Sequence, residues 1–228
     1  MNKIIYIVSF VFLTLTMSAC STMVQVQEKT LYDQNAQLNT EEINGFKAVH
    51  IFKDDYDNSV WVSPERNCVS LSTERYYVYN GKAGLKVKWD KIAGGCKWIG
   101  IGFGWNSWMA KDMLDVSDDC AVQMKVKSVN GNFKNFPVAF AFEDYSGVQS
   151  YVGFQMSQAS GEFNSENWTT VSIPLKKFDF KSKNFDLEKV KQFIIQLEGD
   201  GEIYLDDIKF EYAASSSLLS LPFSLGNL

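Results

Sequence analysis

The stretch VQMKVKSV at residues 122–129 alternates apolar and polar side chains along its whole length. Such a period of two is typical of a β-strand that buries one face and exposes the other. Asn130-Gly131 follows, a dipeptide that favours a tight turn. The stretch therefore predicts a half-buried strand that ends at a turn.

Similar short segments lie on both sides of this strand. LKVKW at 85–89 alternates in the same way after the turn signal Asn80-Gly81. Further strands are predicted at 47–53, 76–79, 97–105, 138–142, 150–156, 169–173, 192–197 and 202–210. In the segment 97–105, alternate glycines indicate a close backbone approach or a bulge. About ten strands, with one or two helical turns at 186–191, predict an all-β antiparallel sandwich.

The first twenty residues have the features of an export signal. Lys3 precedes an apolar run from Ile4 to Leu15, which ends at Ser18-Ala19-Cys20. A run of this length is too short for a membrane span and predicts a secretory signal. The last three residues resemble the lipobox of bacterial lipoproteins. The resemblance implies removal of residues 1–19, lipidation of Cys20 and anchoring in the membrane.

The rest of the chain divides by composition into three parts. Residues 20–45 are rich in Gln, Asn, Thr and Glu, which predicts a flexible tether from the lipidated cysteine. Residues 46–212 hold the predicted strands and are long enough for one domain with a full core. Residues 213–228 form a Ser- and Leu-rich tail. Because Ser21 follows the cysteine, we expect a location at the outer membrane or the cell surface.

The charged residues exclude several classes of function. The chain has 22 Lys and Arg against 27 Asp and Glu, and the lysines are scattered. Nucleic-acid binding needs clustered basic residues, so we expect no nucleic-acid partner and a neutral or cationic ligand. His50 is the only histidine. A multi-histidine zinc site is therefore excluded, and a Ser-His-Asp triad would have to use His50.

Three cysteines follow the predicted lipidation site: Cys68, Cys96 and Cys120. An exported chain folds in an oxidising compartment, so we expect one disulfide and one leftover thiol. Pairs Cys68–Cys96 and Cys96–Cys120 would both join segments of one sandwich. The sequence alone does not choose between them.

Three segments share a characteristic order along the chain. They are YNGKAGLKVKW at 79–89, then GCKWIGIG at 95–102 with KDM at 111–113, and IYLDDIKF at 203–210. In this order they resemble the galactose-binding-like jelly rolls of carbohydrate-binding modules, in particular family 11-like modules. The resemblance covers residues 46–212. It implies a jelly-roll fold and the binding of a polysaccharide or oligosaccharide.

The same resemblance implies a structural calcium ion near the closing strand. Asp206 or Asp207 would supply one ligand, together with Asp54, Asp55 or Asp57 near the first strand. Calcium prefers several oxygen ligands, which carboxylates and carbonyls supply. Neighbouring strand residues point to opposite faces, so only one member of the pair at 206–207 would reach a given site. Our predicted metal ligands are Asp55 and Asp207.

Aromatic and polar side chains concentrate in two segments, 98–112 and 143–151. Sugar rings stack on Trp and Tyr through their apolar faces, and sugar hydroxyls bind carboxylates and amides. The predicted ligand-binding residues are Trp105, Trp108, Asp112, Asp144, Tyr145 and Tyr151. Packing in the core or at its rim is the alternative for each. Three other tryptophans are interpreted as core residues: Trp89, Trp98 and Trp168.

Two alternatives to a non-catalytic carbohydrate-binding lipoprotein stay open. One is a β-sandwich glycoside hydrolase, which needs two carboxylates on one face. The segment EGDGE at 198–202 is rich in acids, but its two glycines favour a hairpin turn with the acids in water. The other alternative is a structural lipoprotein that docks onto another outer-membrane protein.

Overall fold

The computed structural model describes residues 42–43, 46–47, 49–54, 60–62, 68–105, 108–130, 136, 138–155 and 158–213. Several parts of the chain on which predictions were made lie outside the described residues. They are the signal peptide 1–19, Cys20, nearly all of the tether 20–45, Asp55, Asp57 and the tail from residue 214 onwards.

The described residues form thirteen strands. Their bounds are β1 Glu42–Ile43, β2 Phe46–Lys47, β3 His50–Phe52, β4 Val60–Val62, β5 Val69–Glu74, β6 Gly84–Asp90, β7 Ile99–Gly104, β8 Cys120–Ser128, β9 Val138–Asp144, β10 Gln149–Gly153, β11 Thr169–Pro174, β12 Val190–Leu197 and β13 Asp200–Tyr212. Short 3-10 helices lie at Leu114–Val116, Leu175–Lys177 and Leu187–Lys189. Among the described residues, no helix has the length and apolar character needed to cross a membrane.

Two antiparallel sheets contain most of these strands. The order is β10-β9-β12-β7-β4 in the five-stranded sheet and β11-β8-β13-β6-β5 in the six-stranded sheet, where β3 also pairs with β13. The core lies between the sheets: the rings of Phe142 in β9 and Phe210 in β13 stack with their centroids 6.3 Å apart. The predicted all-β antiparallel sandwich is confirmed.

The alternation that predicted β8 also explains its burial. Val122, Met124 and Val126 are buried in the core, whereas the intervening polar side chains are partly exposed. The neighbouring strands follow the same rule, so each sheet has one face in the core and one outer face. The two outer faces are the surfaces on which a ligand can bind.

Strand β13 changes its partner half-way along its length. It pairs with β6 through Leu205 and with β3 from Ile208, and the register shifts between these two parts. At the shift Asp207 has a φ of +47°, a left-handed conformation that Asp tolerates better than most residues. A bulge therefore occupies the Asp206-Asp207 pair.

The strand predicted at 76–79 is wrong. These residues belong to the loop between β5 and β6, residues 75–83. The backbone N–H groups of Tyr79 and Asn80 donate to Oδ2 of Asp206 at 2.7 and 3.2 Å. The loop is therefore held by a carboxylate of a distant strand, and these two N–H groups do not join a sheet ladder.

Cys68 and Cys96 form the disulfide, and Cys120 is a buried free thiol. The expectation of one bridge and one leftover thiol is confirmed, and the structure selects the pair. The bridge closes a segment that contains β5, β6 and the loop between them. For a closed loop of this length, chain entropy gives a stabilisation of about 3.5 kcal/mol.

Candidate functional site

The outer face of the five-stranded sheet has an unusually flat centre. In β7 the side chains of Ile99, Ile101 and Phe103 are buried in the core, so the glycines at 100, 102 and 104 take the outward positions. In β9 the outward positions opposite the core phenylalanines are taken by Ala139 and Ala141. Small residues thus occupy the middle of this outer face, where Gly102 and Ala141 are buried.

Trp98 lies against this face at Gly100. A Cβ atom built on Gly100 would come within 2.6 Å of Cη2 and 2.9 Å of Cζ2 of the Trp98 ring. Only a glycine gives the indole this close approach to the strand. Trp98 is partly exposed. The prediction that it is a core residue is therefore wrong, whereas the close backbone approach predicted from the glycines is confirmed.

The registers place the outward residues in rows across the sheet. One row joins Gly102, Ile194, Ala141 and Tyr151. The Tyr151 side chain, on the edge strand β10, is 51% exposed. Neighbouring strands lie about 4.8 Å apart, so the strand that follows Trp98 and the strand that carries Tyr151 are about 14 Å apart. This separation suits an extended ligand better than a single small ring.

A polar network borders the face beside Tyr151. Its hydroxyl donates to Oε1 of Gln149, whose amide donates to Oε2 of Glu143. Lys191 Nζ donates to the other oxygen of Glu143 at 2.7 Å. The network fixes the Tyr151 ring and combines donors and acceptors. Because Glu143 and Lys191 form an ion pair, these two side chains add no net charge to the network.

Trp108 and Tyr145 lie at one end of the same sheet. Trp108 follows the end of β7 and Tyr145 follows the end of β9. The Tyr145 hydroxyl donates to the carbonyl oxygen of Trp108, and the Tyr145 N–H donates to the carbonyl of Lys189 at 3.1 Å, just before β12. The structure therefore brings these two predicted residues together and leaves the Tyr145 side chain exposed.

Trp105 and Asp144 do not lie on the outer face. Trp105 is only 5% exposed, and its Nε1 donates to the carbonyl of Val190 at 3.0 Å. Asp144 is fully buried, and its oxygens accept hydrogen bonds from the backbone N–H groups of Ser146, Val148 and Asp186. Burial alone would raise the pKa of Asp144. The hydrogen bonds lower this pKa by more than burial raises it, so the pKa lies below its usual range. Both residues are structural.

The remaining predicted residues have local roles. The exposed Asp112 accepts the N–H of Leu114 at 3.0 Å, which starts a 3-10 helix. Trp89 is in the core as predicted, with its Nε1 donating to the carbonyl of Glu198. Trp168 is only partly buried, and Tyr79 lies at its ring edge.

The closing-strand aspartates bind protein groups of the described residues. Asp207 Oδ1 lies 3.4 Å from His50 Nε2, and its Oδ2 lies 3.6 Å from Lys209 Nζ. The His50 hydrogen bond is the main cause of a lowered Asp207 pKa. Asp206 accepts backbone N–H groups instead. The described part of the chain has no group of three or more His, Cys, Asp or Glu that could hold a metal ion. Because Asp55 is not described, calcium binding stays a prediction.

Comparisons with known proteins identify this architecture. The model of the family described as carbohydrate binding domain 30 matches residues 48–212. A solved family 30 carbohydrate-binding module is 19% identical with a TM-score of 0.59, over 77% of this chain and 91% of that one. The family 30 module of a cellulosomal cellulase of Clostridium thermocellum is 17% identical with a TM-score of 0.56, over 73% and 98%.

A larger protein contains a similar domain. An exo-beta-agarase is 12% identical with a TM-score of 0.53, and the match covers 72% of this chain but 25% of that one. The comparison with curated proteins found no match. At sequence identities of 12–19%, the solved structures show that this chain shares their fold.

Proposed function

The chain belongs to the carbohydrate binding domain 30 family, and on that basis we propose that it holds a neutral polysaccharide on the outer face of the five-stranded sheet. Carbohydrate binding is the function that this family membership supports. The family does not itself assign the surface or the sugar. Those two points depend on the side chains of this chain.

One observation carries the choice of surface: Trp98 and Tyr151 are partly exposed on the same flat face. The two rings lie on either side of Gly102, Ala141 and Ile194, which are buried, so the rings are the parts of this face that a ligand can reach. A sugar on this face can place its apolar C–H face on an aromatic ring. The distance between the two aromatic positions favours an oligosaccharide over a monosaccharide.

The polar network suits sugar hydroxyls. Amides such as that of Gln149 offer a donor and an acceptor side by side, and Glu143 offers acceptor oxygens. The Glu143–Lys191 ion pair leaves these two side chains without net charge, so the network favours a neutral glycan over an anionic one. The bonds that join Gln149 to Tyr151 hold the network before a ligand arrives, which reduces the entropy lost on binding.

We also propose that the domain acts without catalysis. Glu198 and Glu202, the outer acids of the glycosidase alternative, have separate cationic partners: Glu198 binds Lys91 and Glu202 binds Lys86 at 2.7 Å. The Lys91 hydrogen bond is the main cause of a lowered Glu198 pKa, so this side chain is a poor general acid. Gly199 has a φ of +64°, in keeping with a hairpin turn between the two acids.

Replacement of Tyr151 tests the proposed surface. Tyr151→Ala removes an exposed ring, and we expect cello-oligosaccharide affinity to fall about tenfold. Tyr151→Phe keeps the ring, so it should lose less affinity than the alanine variant. The measurement is isothermal titration calorimetry with cello-oligosaccharides of increasing length and with agarose oligosaccharides. These probes follow from the cellulase and agarase that contain similar domains.

Tyr212 provides the matched control, because its side chain is exposed to the same extent but lies at the end of β13 in the other sheet. Tyr212→Ala should bind the oligosaccharides like the parent chain. Equal binding by the Tyr151→Ala variant and the parent would rule out the five-stranded face. Release of reducing sugar that disappears in Glu202→Gln would instead establish the glycosidase.

The predicted lipid anchor stays a proposal. It rests on the short apolar run and the Ser18-Ala19-Cys20 sequence, and it would place the domain on the cell envelope through an acylated Cys20. In a bacterial host, Cys20→Ser should abolish incorporation of a labelled fatty acid and move the protein out of the membrane fraction. Unchanged labelling would reject Cys20 as the acylated residue. Docking onto another outer-membrane protein is a separate possibility that this experiment leaves open.

A further inference from the structure

The outer face of the six-stranded sheet has a different chemistry from the five-stranded face. Lys86 and Lys88 in β6 and Lys125 and Lys127 in β8 alternate with buried core residues and take outward positions. Glu202, on β13 between these strands, is paired with Lys86. This part of the face is locally basic although the chain has a net charge of −5.

The β5–β6 loop lies over this basic face and is fixed at two places. Tyr79 and Asn80 donate their N–H groups to Asp206. Lys82 and Ala83 donate theirs to Oδ1 of Asp54, the second of them at 3.1 Å. A loop that is held by two carboxylates presents its side chains in a defined arrangement.

The loop presents tyrosine rings that are supported on one side and exposed on the other. Tyr77 stacks on Tyr204 with centroids 4.3 Å apart and is 45% exposed. Tyr79 meets the edge of Trp168 and is 47% exposed, and Lys125 Nζ lies 4.4 Å from its ring centroid. Rings ordered in this way lose little further entropy when a ligand stacks on them.

A pocket of about 260 Å³ with both polar and apolar lining residues lies along β11. Among its lining residues are Gln158, Ser160, Thr170 and Lys177, and none of the described residues that line it has a carboxylate. Lys125 connects the two features, because its Nζ donates to Oγ1 of Thr170 at 2.7 Å while it lies over the Tyr79 ring. Lys125 therefore lies between the Tyr79 ring and the pocket.

The amide of Gln158 lacks a partner for its donor group. Its Oε1 accepts the N–H of Gln155 at 2.6 Å, whereas its buried Nε2 has no hydrogen-bond partner in the described part of the chain. A buried N–H without an acceptor is unfavourable. Together with the ammonium group of Lys177, it makes the pocket suited to a ligand that brings acceptor oxygens and negative charge.

We propose that this surface is a second carbohydrate-binding site, selective for sugars that carry a carboxylate, that is, uronate residues. The tyrosine rings of the loop stack on the sugar, and Lys177 and Gln158 bind the carboxylate. The site lies on the opposite sheet from the proposed neutral-glycan surface. Either site can therefore exist without the other.

Titration calorimetry of the full chain with tri-galacturonate and with its methyl ester tests this proposal. The ester keeps the sugar and removes the charge, so we expect it to bind about three- to tenfold more weakly than the acid. Added salt should weaken binding of the acid alone. Lys177→Gln should reduce acid binding to the level of the ester, and Tyr79→Ala should weaken binding of both.

The substituted side chains are exposed, so we expect both variants to fold like the parent chain. Tyr79 is 47% exposed and Lys177 is also exposed, so neither substitution disturbs the core. Tyr151→Ala is the control for the other sheet and should leave tri-galacturonate binding unchanged. Three results would overturn the proposal: equal binding of acid and ester, no effect of Lys177→Gln, or loss of acid binding in Tyr151→Ala. Absence of binding by both probes would overturn it as well.

Discussion

Trp98→Ala is expected to weaken oligosaccharide binding by about 10- to 100-fold, the range of a central aromatic residue in an interface. The indole lies against the strand at Gly100 and is partly exposed on the five-stranded outer face. Its loss removes a stacking surface for the sugar. The measurement is calorimetry with the longest cello-oligosaccharide that the parent chain binds.

Gly100→Ala tests the position of the ring without removing it. The added methyl would lie within 2.6 Å of the indole, so the ring must move. We expect a loss of affinity that approaches that of Trp98→Ala. Gly153→Ala is the matched control, since Gly153 belongs to the outward row of Gly100 and a Cβ there meets nothing within 4 Å. Equal affinities of the two glycine variants would contradict the role given to Trp98.

Asp206→Ala is expected to lower the free energy of unfolding by about 2–4 kcal/mol, because three backbone N–H groups lose their acceptor. They belong to Tyr79, Asn80 and Asp207. Urea denaturation measures this change, and Asp206→Asn is the control that keeps an acceptor oxygen and removes the charge. If the alanine and asparagine variants are equally stable, the carboxylate does not hold the loop.

The same residue should produce a specific pH dependence. Burial raises the pKa of Asp206 to about 6. The N–H donors lower this pKa, but they offset only part of the rise. A group whose pKa is raised in the folded state contributes its full stabilisation at pH values below its ordinary pKa. This contribution is lost as the pH rises through the pKa of the folded state. Between about pH 4 and pH 6 the parent should lose about 2 kcal/mol relative to Asp206→Asn. Parallel stability curves of the two proteins would contradict the raised pKa.

The fold could be predicted because it depends on local alternation. In β8 and β6 every second residue is apolar, and this pattern alone assigns the buried face. The loop at 75–83 was misassigned because Tyr76, Tyr77 and Tyr79 have high strand propensity. Its conformation depends on hydrogen bonds to Asp206, more than a hundred residues away, and no local pattern contains that information.

The candidate surface was predicted only in part. Tyr151 was identified because polar residues surround it, and the structure places it on the outer face. Trp98 was missed although the sequence held a signal: glycines alternate with Ile99 and Ile101, which marks an outer face without side chains. Trp105 was misplaced because its burial depends on the distant carbonyl of Val190.

The bridge between Cys68 and Cys96 has a consequence for proteolysis. Its half-cystines stand on either side of the exposed tyrosine loop, and β5 and β6 pair along their whole lengths. A protease that cuts once within 75–83 would therefore leave two fragments that stay covalently joined and can remain folded. Gel electrophoresis would show such a cleavage only after a reducing agent is added.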